Sequence, residues 1–551
     1  MDTALFFEQF GYLARSPDGV QKLRKLILEL AVRGKLVPQD PDDEPASELL
    51  KRIEAEKQRL YEVGEIQRPK TPPPIKEDEI PHRLPHGWAW ERLGNILTFE
   101  YGKSLPAKAR NDFGKVPVYG SNGVVGVHEE HLVAGRGIII GRKGSAGAIN
   151  VSLESFWATD VTYYVVPPND LYFDYTVLIL KSLSLEDLSK GIKPGLNRNE
   201  AYVLLVAIPP FAEQQRIVAK VDELMQLCDQ LEEEQAQCDH LHERAAKSTL
   251  FHLTNASSKS EARQYWQYAE QYFPELFDRA TTVEDLRATI LQLAVQGRLV
   301  PQNPDDEPAS ELLKRIEEEK QRLYQAGEMK KPERLPPLKD DEKPYEIPQG
   351  WEWIRLGAVM KQMGAGSTPL GGRKVYVEDG IPFLRSQNVW NDGLYLDDVA
   401  RISIKTHEKM GRTHVMQGDV LLNITGASIG RSCTVPSHLL EANVSQHVAI
   451  LRLIDTRMAE YLHVCIISPI FQKTIMDVQV GVSREGLSMT RLRLFPFAVP
   501  PQAEQRRIVS KINELNQLCD QLEVEANHRR ELSGRLLDSI IYHLFEPAAE
   551  I

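Results

Sequence analysis

The sequence predicts an α+β chain in which two mixed α/β domains are separated by long antiparallel, coiled-coil-like helices in a pseudo-twofold internal repeat. Three observations predict it. Residues 23–66 and 286–329 align without a gap, and 34 of the 44 positions are identical. A second block returns at a different offset: Pro209-Pro210-Phe211-Ala212-Glu213-Gln214 and Leu227–Glu232 recur as Pro500-Pro501-Gln502-Ala503-Glu504-Gln505 and Leu518–Glu523. Between the blocks lie segments 95–208 and 358–499, which share no evident alignment, the second being longer by 28 residues.

Taken in order, residues 1–83 read as an N-terminal helical arm and linker. A helix over about 20–32 stops at Gly34, and a second opens at Asp43-Glu44-Pro45 and closes at Gly64, with Leu49, Ile53 and Leu60 on one face. The linker Arg68–Pro85, containing Pro72-Pro73-Pro74, is extended and semi-rigid. Residues 84–210 form the first mixed domain, with strands at 138–140 and 161–166 and Gly-rich turns at Tyr119–Gly123 and Gly141–Gly147. Residues 211–283 hold the central long helix and a connector. Ile217, Val221, Leu224, Cys228 and Leu231 step by fours and threes, which is an apolar seam, and Pro209-Pro210 marks its start. A helix from Ala212 to Leu253 would be roughly 60 Å long. The second arm and linker occupy 284–346, the second mixed domain 347–501 with strands at 420–424 and 447–452, and the C-terminal long helix 502–551. Its seam runs through Ile508, Ile512, Leu515, Cys519, Leu522 and Ala526. The unmatched first arm must pair with the unmatched last one, which brings the two ends of the chain together.

Composition narrows the function. The 551 residues carry 66 Lys+Arg against 78 Asp+Glu, a net charge of −12. The acidity is regional: 84–210 holds 12 basic and 12 acidic residues and 347–501 holds 16 and 13, so the arms and linkers carry the excess. Neutral to slightly basic domains permit DNA contact without strong non-specific affinity. Five cysteines suit a reducing compartment and exclude a disulfide scaffold. The start of the chain has no basic, apolar leader and no stretch is long enough to span a bilayer, so a soluble cytoplasmic protein is expected.

Signals of catalysis fail on inspection. Asp305 with Glu318-Glu319-Lys320 imitates a nuclease pattern, but the first copy has Ala55 at the place of Glu318. Cys238, His240 and His242 correspond to Arg529, Glu531 and Ser533, and no second ligand pair completes a zinc site. Gly364-Ala365-Gly366 does not complete a dinucleotide fingerprint, no phosphate loop exists, and no Asn/Asp-Pro-Pro-Tyr/Phe motif is present. No catalytic residue and no metal ligand are expected, and Cys228 and Cys519 read as packed seam residues.

The duplicated Pro-Pro-x-Ala-Glu-Gln-x-Arg-Ile-Val blocks (209–218 and 500–509) and the paired Gly-Trp-x-Trp segments (87–90 and 350–353) identify a resemblance. Over essentially its whole length the chain resembles the specificity subunit of a Type I restriction–modification enzyme. Gly366-Ser367-Thr368-Pro369, Gly418–Leu422, Gly426–Arg431, and Gly120–Gly123 with Gly141–Gly144 also look like motifs of that family. The resemblance implies a non-catalytic subunit in phage defence, whose two target-recognition domains each read half of a bipartite site in double-stranded DNA. It implies helices that set the spacer and dock two modification (methyltransferase) subunits, with restriction subunits that are ATP-dependent translocases and nucleases. It assigns S-adenosylmethionine, ATP and Mg²⁺ to those partners, with no cofactor on this chain and no membrane. A coiled-coil scaffold without base readout is the alternative, and it leaves unexplained why the variable segments diverge while the arms stay nearly fixed.

Base and phosphate readers are expected among Arg, Lys, Asn, Gln, Ser and Thr on loops. In the first domain the candidates are Lys103, Ser121, Asn122, Arg142, Lys143, Ser145, Asn197, Arg198 and Asn199. In the second they are Ser367, Thr368, Arg385, Ser386, Gln387, Asn388, Arg431, Gln446 and Arg484. The clusters 141–147 and 385–388 are the strongest of these.

Overall fold

A computed structural model of the chain describes residues 10–14, 16, 18–63, 72–110, 114–188, 195–256, 258–371, 375–439, 441–480 and 486–545. It divides into two compact units, Met1–Asp239 with Arg529–Ile551, and His240–His528. The long helices run Phe211–Asn255 and Gln502–Phe545, each continuous through the point of division.

In the first unit, helices Phe10–Ala14 and Gly19–Val32 precede the arm helix Ala46–Glu62. Leu23, Leu26, Ile27 and Leu30 recur every three or four residues and bury one face of the second helix. They share a core with Ile217, Val221, Leu224 and Cys228 of the long-helix seam. Arg24 reaches across to Asp229 at 2.6 Å and Glu232 at 3.0 Å. Leu537, near the end of the last helix, is fully buried in this same core, and Lys22 pairs with Asp538 at 2.5 Å. The unmatched last arm therefore packs on the first, as the duplication requires.

The first domain carries β1 (Ala89–Arg92), β2 (Glu100–Tyr101), β3 (Val116–Gly120), β4 (Gly123–His128), β5 (Gly137–Gly141), β6 (Ile149–Ser152), β7 (Trp157–Ala158), β8 (Thr162–Val165) and β9 (Leu205–Ile208). One sheet has the order β2-β8-β5-β6, a second β4-β3-β7 with β3 and β7 parallel, and β1 pairs with β9 where the domain meets its helices. Ile138, Ile139 and Ile140 are all fully buried because β5 is covered on both faces.

In the second unit, helices Lys259–Gln271 and Phe273–Leu276 lead into Ala280–Val295 and Ala309–Gln325. Phe10 and Leu13 stand at the same offset from Phe273 and Leu276 as the rest of the arm repeat, and Leu13 and Leu276 are both buried. The short helices Phe10–Ala14 and Phe273–Leu276 thus stand at equivalent places ahead of the two arms.

The second domain carries β10 (Glu352–Arg355), β11 (Met360–Ala365), β12 (Tyr376–Leu384), β13 (Val389–Trp390), β14 (Gly393–Leu394), β15 (Ala400–Ile402), β16 (His414–Val415), β17 (Val420–Asn423), β18 (Ser432–Thr434), β19 (Ala442–Val444), β20 (Val448–Leu453) and β21 (Pro496–Val499). Its sheets run β11-β20-β17-β18 and β15-β12-β19-β16, with β12 and β19 parallel and β10 paired with β21. That is the frame of the first domain, with β16 and the β13–β14 hairpin added.

Side chains of the repeated blocks make the same bonds in both halves, within each domain and between it and its helices. Trp88 Nε1 donates to Glu213 at 2.9 Å, and Trp351 Nε1 to Glu504 at 3.0 Å. Arg92 donates to the Val203 carbonyl and Arg355 to that of Leu494, both at 2.6 Å. Asp43 pairs with Arg216 at 2.6 Å and Asp306 with Arg507 at 2.5 Å.

Candidate nucleic-acid interface

Backbone hydrogen bonds place the two domains in register at the loop end of each main sheet. Gly102 N donates to Thr162 O and Lys103 N to Ala158 O; Gly366 N donates to Val448 O and Ser367 N to Val444 O. Arg142 N donates to Val161 O as Ile424 N does to His447 O, and Leu196 N donates to Arg142 O as Leu487 N does to Ile424 O. Lys103 and Ser367 thus occupy one backbone position, and the loops after β5 and β17 are equivalent. Glycine is required at 102 and 366, where a Cβ would lie 2.1 Å from Thr159 O and 2.2 Å from Val444 O.

In the first domain the structure brings most candidates together. A Cβ on Gly141 would meet Ser145 O at 2.0 Å and Ser121 O at 3.0 Å, so the 121–122 turn packs directly against the 141–147 loop. Lys143 bridges Gly195, which adds the 195–199 segment to the cluster. Asn122, Lys143, Ser145 and Lys103 are exposed. At the centre stands Tyr101, half-exposed, a residue that sequence reasoning passed over. Arg198 lies over its ring at 4.6 Å and Arg142 at 5.3 Å. Both guanidiniums are partly engaged, Arg198 with Phe99 O at 2.8 Å and Arg142 with Asp160 O at 2.7 Å, while Arg142 Nε is buried without a partner among the described residues. Tyr163 packs against Tyr101 with its ring tilted by 57° and the centroids 5.1 Å apart, and burial pushes its phenol pKa up. Asn197 acts locally, capping the short helix Arg198–Tyr202 by accepting from Asn199 N at 3.0 Å.

In the second domain, Ser367 and Thr368 are exposed on the loop after β11 beside the turn that presents Gln446. Ser386 and Gln387 lead into the added hairpin, whose indole, Trp390, donates to Gln387 O at 2.8 Å. The guanidinium carbon of Arg431 lies over that indole, 3.7 Å from the ring centroid. Arg385 donates to Asp398 O at 3.3 Å, and its Nε is buried without a partner among the described residues. Asn388 is 2% exposed and both ends of its amide are engaged, with Arg385 N at 3.0 Å and Tyr395 O at 2.9 Å. Its geometry is that of a loop brace, not of a side chain reaching outward. Arg484 lies outside the described residues.

Tyr101 and Trp390 are the functional candidates that sequence reasoning missed. The available signals were an aromatic residue immediately before Gly102-Lys103, and one at the mouth of an Asn391-Asp392-Gly393 turn.

This arrangement, one frame bearing two different sets of polar and aromatic side chains, has a counterpart among known proteins. The family model described as Type I restriction modification DNA specificity domain matches residues 85–237 and 348–529. The chain belongs to that family. The Type I restriction enzyme EcoEI specificity subunit of Escherichia coli is 33% identical over 572 residues, covering 95% of this chain and 93% of that one. The EcoAI specificity subunit of the same organism is 33% identical over 554 residues, with the same shares covered. A solved HsdS subunit from Thermoanaerobacter tengcongensis is 18% identical, covers 84% of this chain and 98% of its own, and superposes with a TM-score of 0.41. As a Type I specificity subunit, the chain confers DNA sequence specificity on a restriction–modification system.

Proposed function

We propose that each domain reads one half of a bipartite site in double-stranded DNA through the loop clusters around Tyr101 and Trp390. The observation that carries this is the shared frame: matched backbone bonds hold unlike side chains at the same end of each sheet. A scaffold would need no such divergence. The helix Phe211–Asn255, a rod of roughly 65 Å at its 45 residues, is the element we assign to spacing the half-sites. Its repeated partner helices and the last helix dock two modification subunits.

Catalysis belongs to those subunits and to restriction subunits, which take S-adenosylmethionine, ATP and Mg²⁺. This chain contributes recognition. Its near-neutral domains leave much of the phosphate grip to the partners. Among the described residues no helix is long and apolar enough to cross a membrane, and the complex acts in the cytoplasm, where the DNA is.

Genome-wide mapping of modified adenines in cells with and without the gene tests the reading. A bipartite mark that depends on the gene is expected, and its absence refutes the proposal. Replacing 95–208 by another recognition domain should alter one half-site only, whereas altered bases in both halves would deny independent readers.

A further inference from the structure

The guanidinium of Arg431 is unlike those of the other arginines described in the two loop clusters. Its central carbon lies 3.7 Å from the centroid of the Trp390 ring, yet none of its nitrogens has a hydrogen-bond or ion-pair partner among the described residues. Arg142, Arg198 and Arg385 each donate to a backbone carbonyl.

The plate under Arg431 is itself fixed. Trp390 Nε1 donates to Gln387 O at 2.8 Å, and the next residue, Asn391, accepts from Ser432 N at 3.1 Å and from His463 Nε2 at 3.1 Å. Ser432 directly follows Arg431, so the two sides of the contact are tied to each other through the Asn391 side chain and the Ser432 N–H. An arginine held this way has already lost much of its rotamer freedom and keeps its planar edge of N–H donors unspent.

A fixed guanidinium edge matches the O6 and N7 acceptors of guanine in the major groove, where two parallel bonds demand a set plane. A phosphate contact makes no such demand, because a mobile lysine serves it equally. We infer that Arg431 reads a guanine in the half-site of the second domain and that Trp390 is its positioning residue. The inference rests on the reading that these domains contact bases.

The test uses the full chain with its modification partner in cells. Modified adenines are mapped for wild type, Arg431→Ala, Arg431→Lys, Trp390→Ala and Trp390→Phe. In wild type, the half-site assigned to the second domain by domain replacement contains a G·C pair. In Arg431→Ala that position becomes degenerate, while the other half-site and the spacer stay as they were. Arg431→Lys, which keeps the charge but not the planar fork, relaxes the same position. Trp390→Ala relaxes it in part, and Trp390→Phe restores it.

With the assembled complex and a duplex panel varied at that position, Arg431→Ala lowers the preference for guanine roughly 5- to 150-fold. The panel also decides the case in which Arg431→Ala leaves no mark in cells. A half-site without a G·C pair overturns the inference. So does an Arg431→Ala complex that binds all duplexes more weakly by one common factor with a salt slope reduced by about one, since that is a phosphate contact. Absence of any bipartite mark in wild type would instead refute the preceding reading.

Discussion

Acid should loosen the second recognition domain through one histidine. His463 sits on helix Ala459–Ile467 with Nε2 donating to Asn391 O at 3.1 Å and Nδ1 facing Ser432 Oγ at 3.4 Å. Burial lowers its pKa from 6.5 to about 4, with the Asn391 carbonyl opposing in part. The sign follows from linkage. As pH falls below 6.5 the unfolded chain takes up this proton first, so the stability present above that pH is lost progressively down to about 4. The separation corresponds to about 3 kcal/mol, most of which is gone by pH 4.5. Protonation leaves the Nε2–H bond to Asn391 O in place, so the cost is that of a charge in a buried site, relieved when the helix Ala459–Ile467 opens. The assay is urea unfolding of the full chain at pH 7 and pH 4.5, with hydrogen exchange over 459–467 as the local readout. In His463→Gln the amide can still donate to Asn391 O but does not titrate, so the loss between the two pH values is expected to shrink by about 2–3 kcal/mol. Equal losses in wild type and variant would refute the reasoning, whatever the absolute stability of the variant.

Glu213 makes the opposite pH test in the first unit. Burial raises its carboxyl pKa, while Gln39 and Trp88 donate to it at 3.2 and 2.9 Å, so its contribution is intact below the ordinary value of 4.5 and is lost as pH rises through the elevated one. Glu213→Gln is expected to flatten the fall in stability of that unit as pH rises above 4.5, measured by thermal unfolding in matched buffers, and an unchanged slope would count against it. Leu537 is fully buried among the N-terminal helices, so Leu537→Ala should destabilise the first unit by about 2–5 kcal/mol in urea titration. A change below about 0.5 kcal/mol, the range of an exposed site, would show that the last helix does not pack there.

Much of the arms is legible in the sequence alone. Apolar residues at spacings of three and four bury against a neighbour wherever that neighbour lies, so Leu23 to Leu30 and Ile217 to Cys228 declared their faces by period alone. Gly34, Pro209-Pro210 and Pro500-Pro501 marked ends because backbone chemistry is local. The candidate readers of the first domain were named from residue type and loop position, and the 141–147 cluster with Lys103 and Ser121 does converge. Asn388 and Asn197 show the weakness of that method, since an asparagine on a loop braces a turn or caps a helix as readily as it faces outward.

What the amino-acid string determined was the duplication, the helical arms, the acidity of the frame and the neutrality of the domains, all of which are matters of order and local period. Only the tertiary structure decided that segments 95–208 and 358–499 share one strand order, that Lys103 and Ser367 stand on the same backbone position, and that Arg431 rests on Trp390. The reason is physical: a sheet is held by backbone bonds between strands far apart in sequence, and these ask only for alternating burial and an occasional glycine. Side chains on such a frame can change almost completely while the pairing remains.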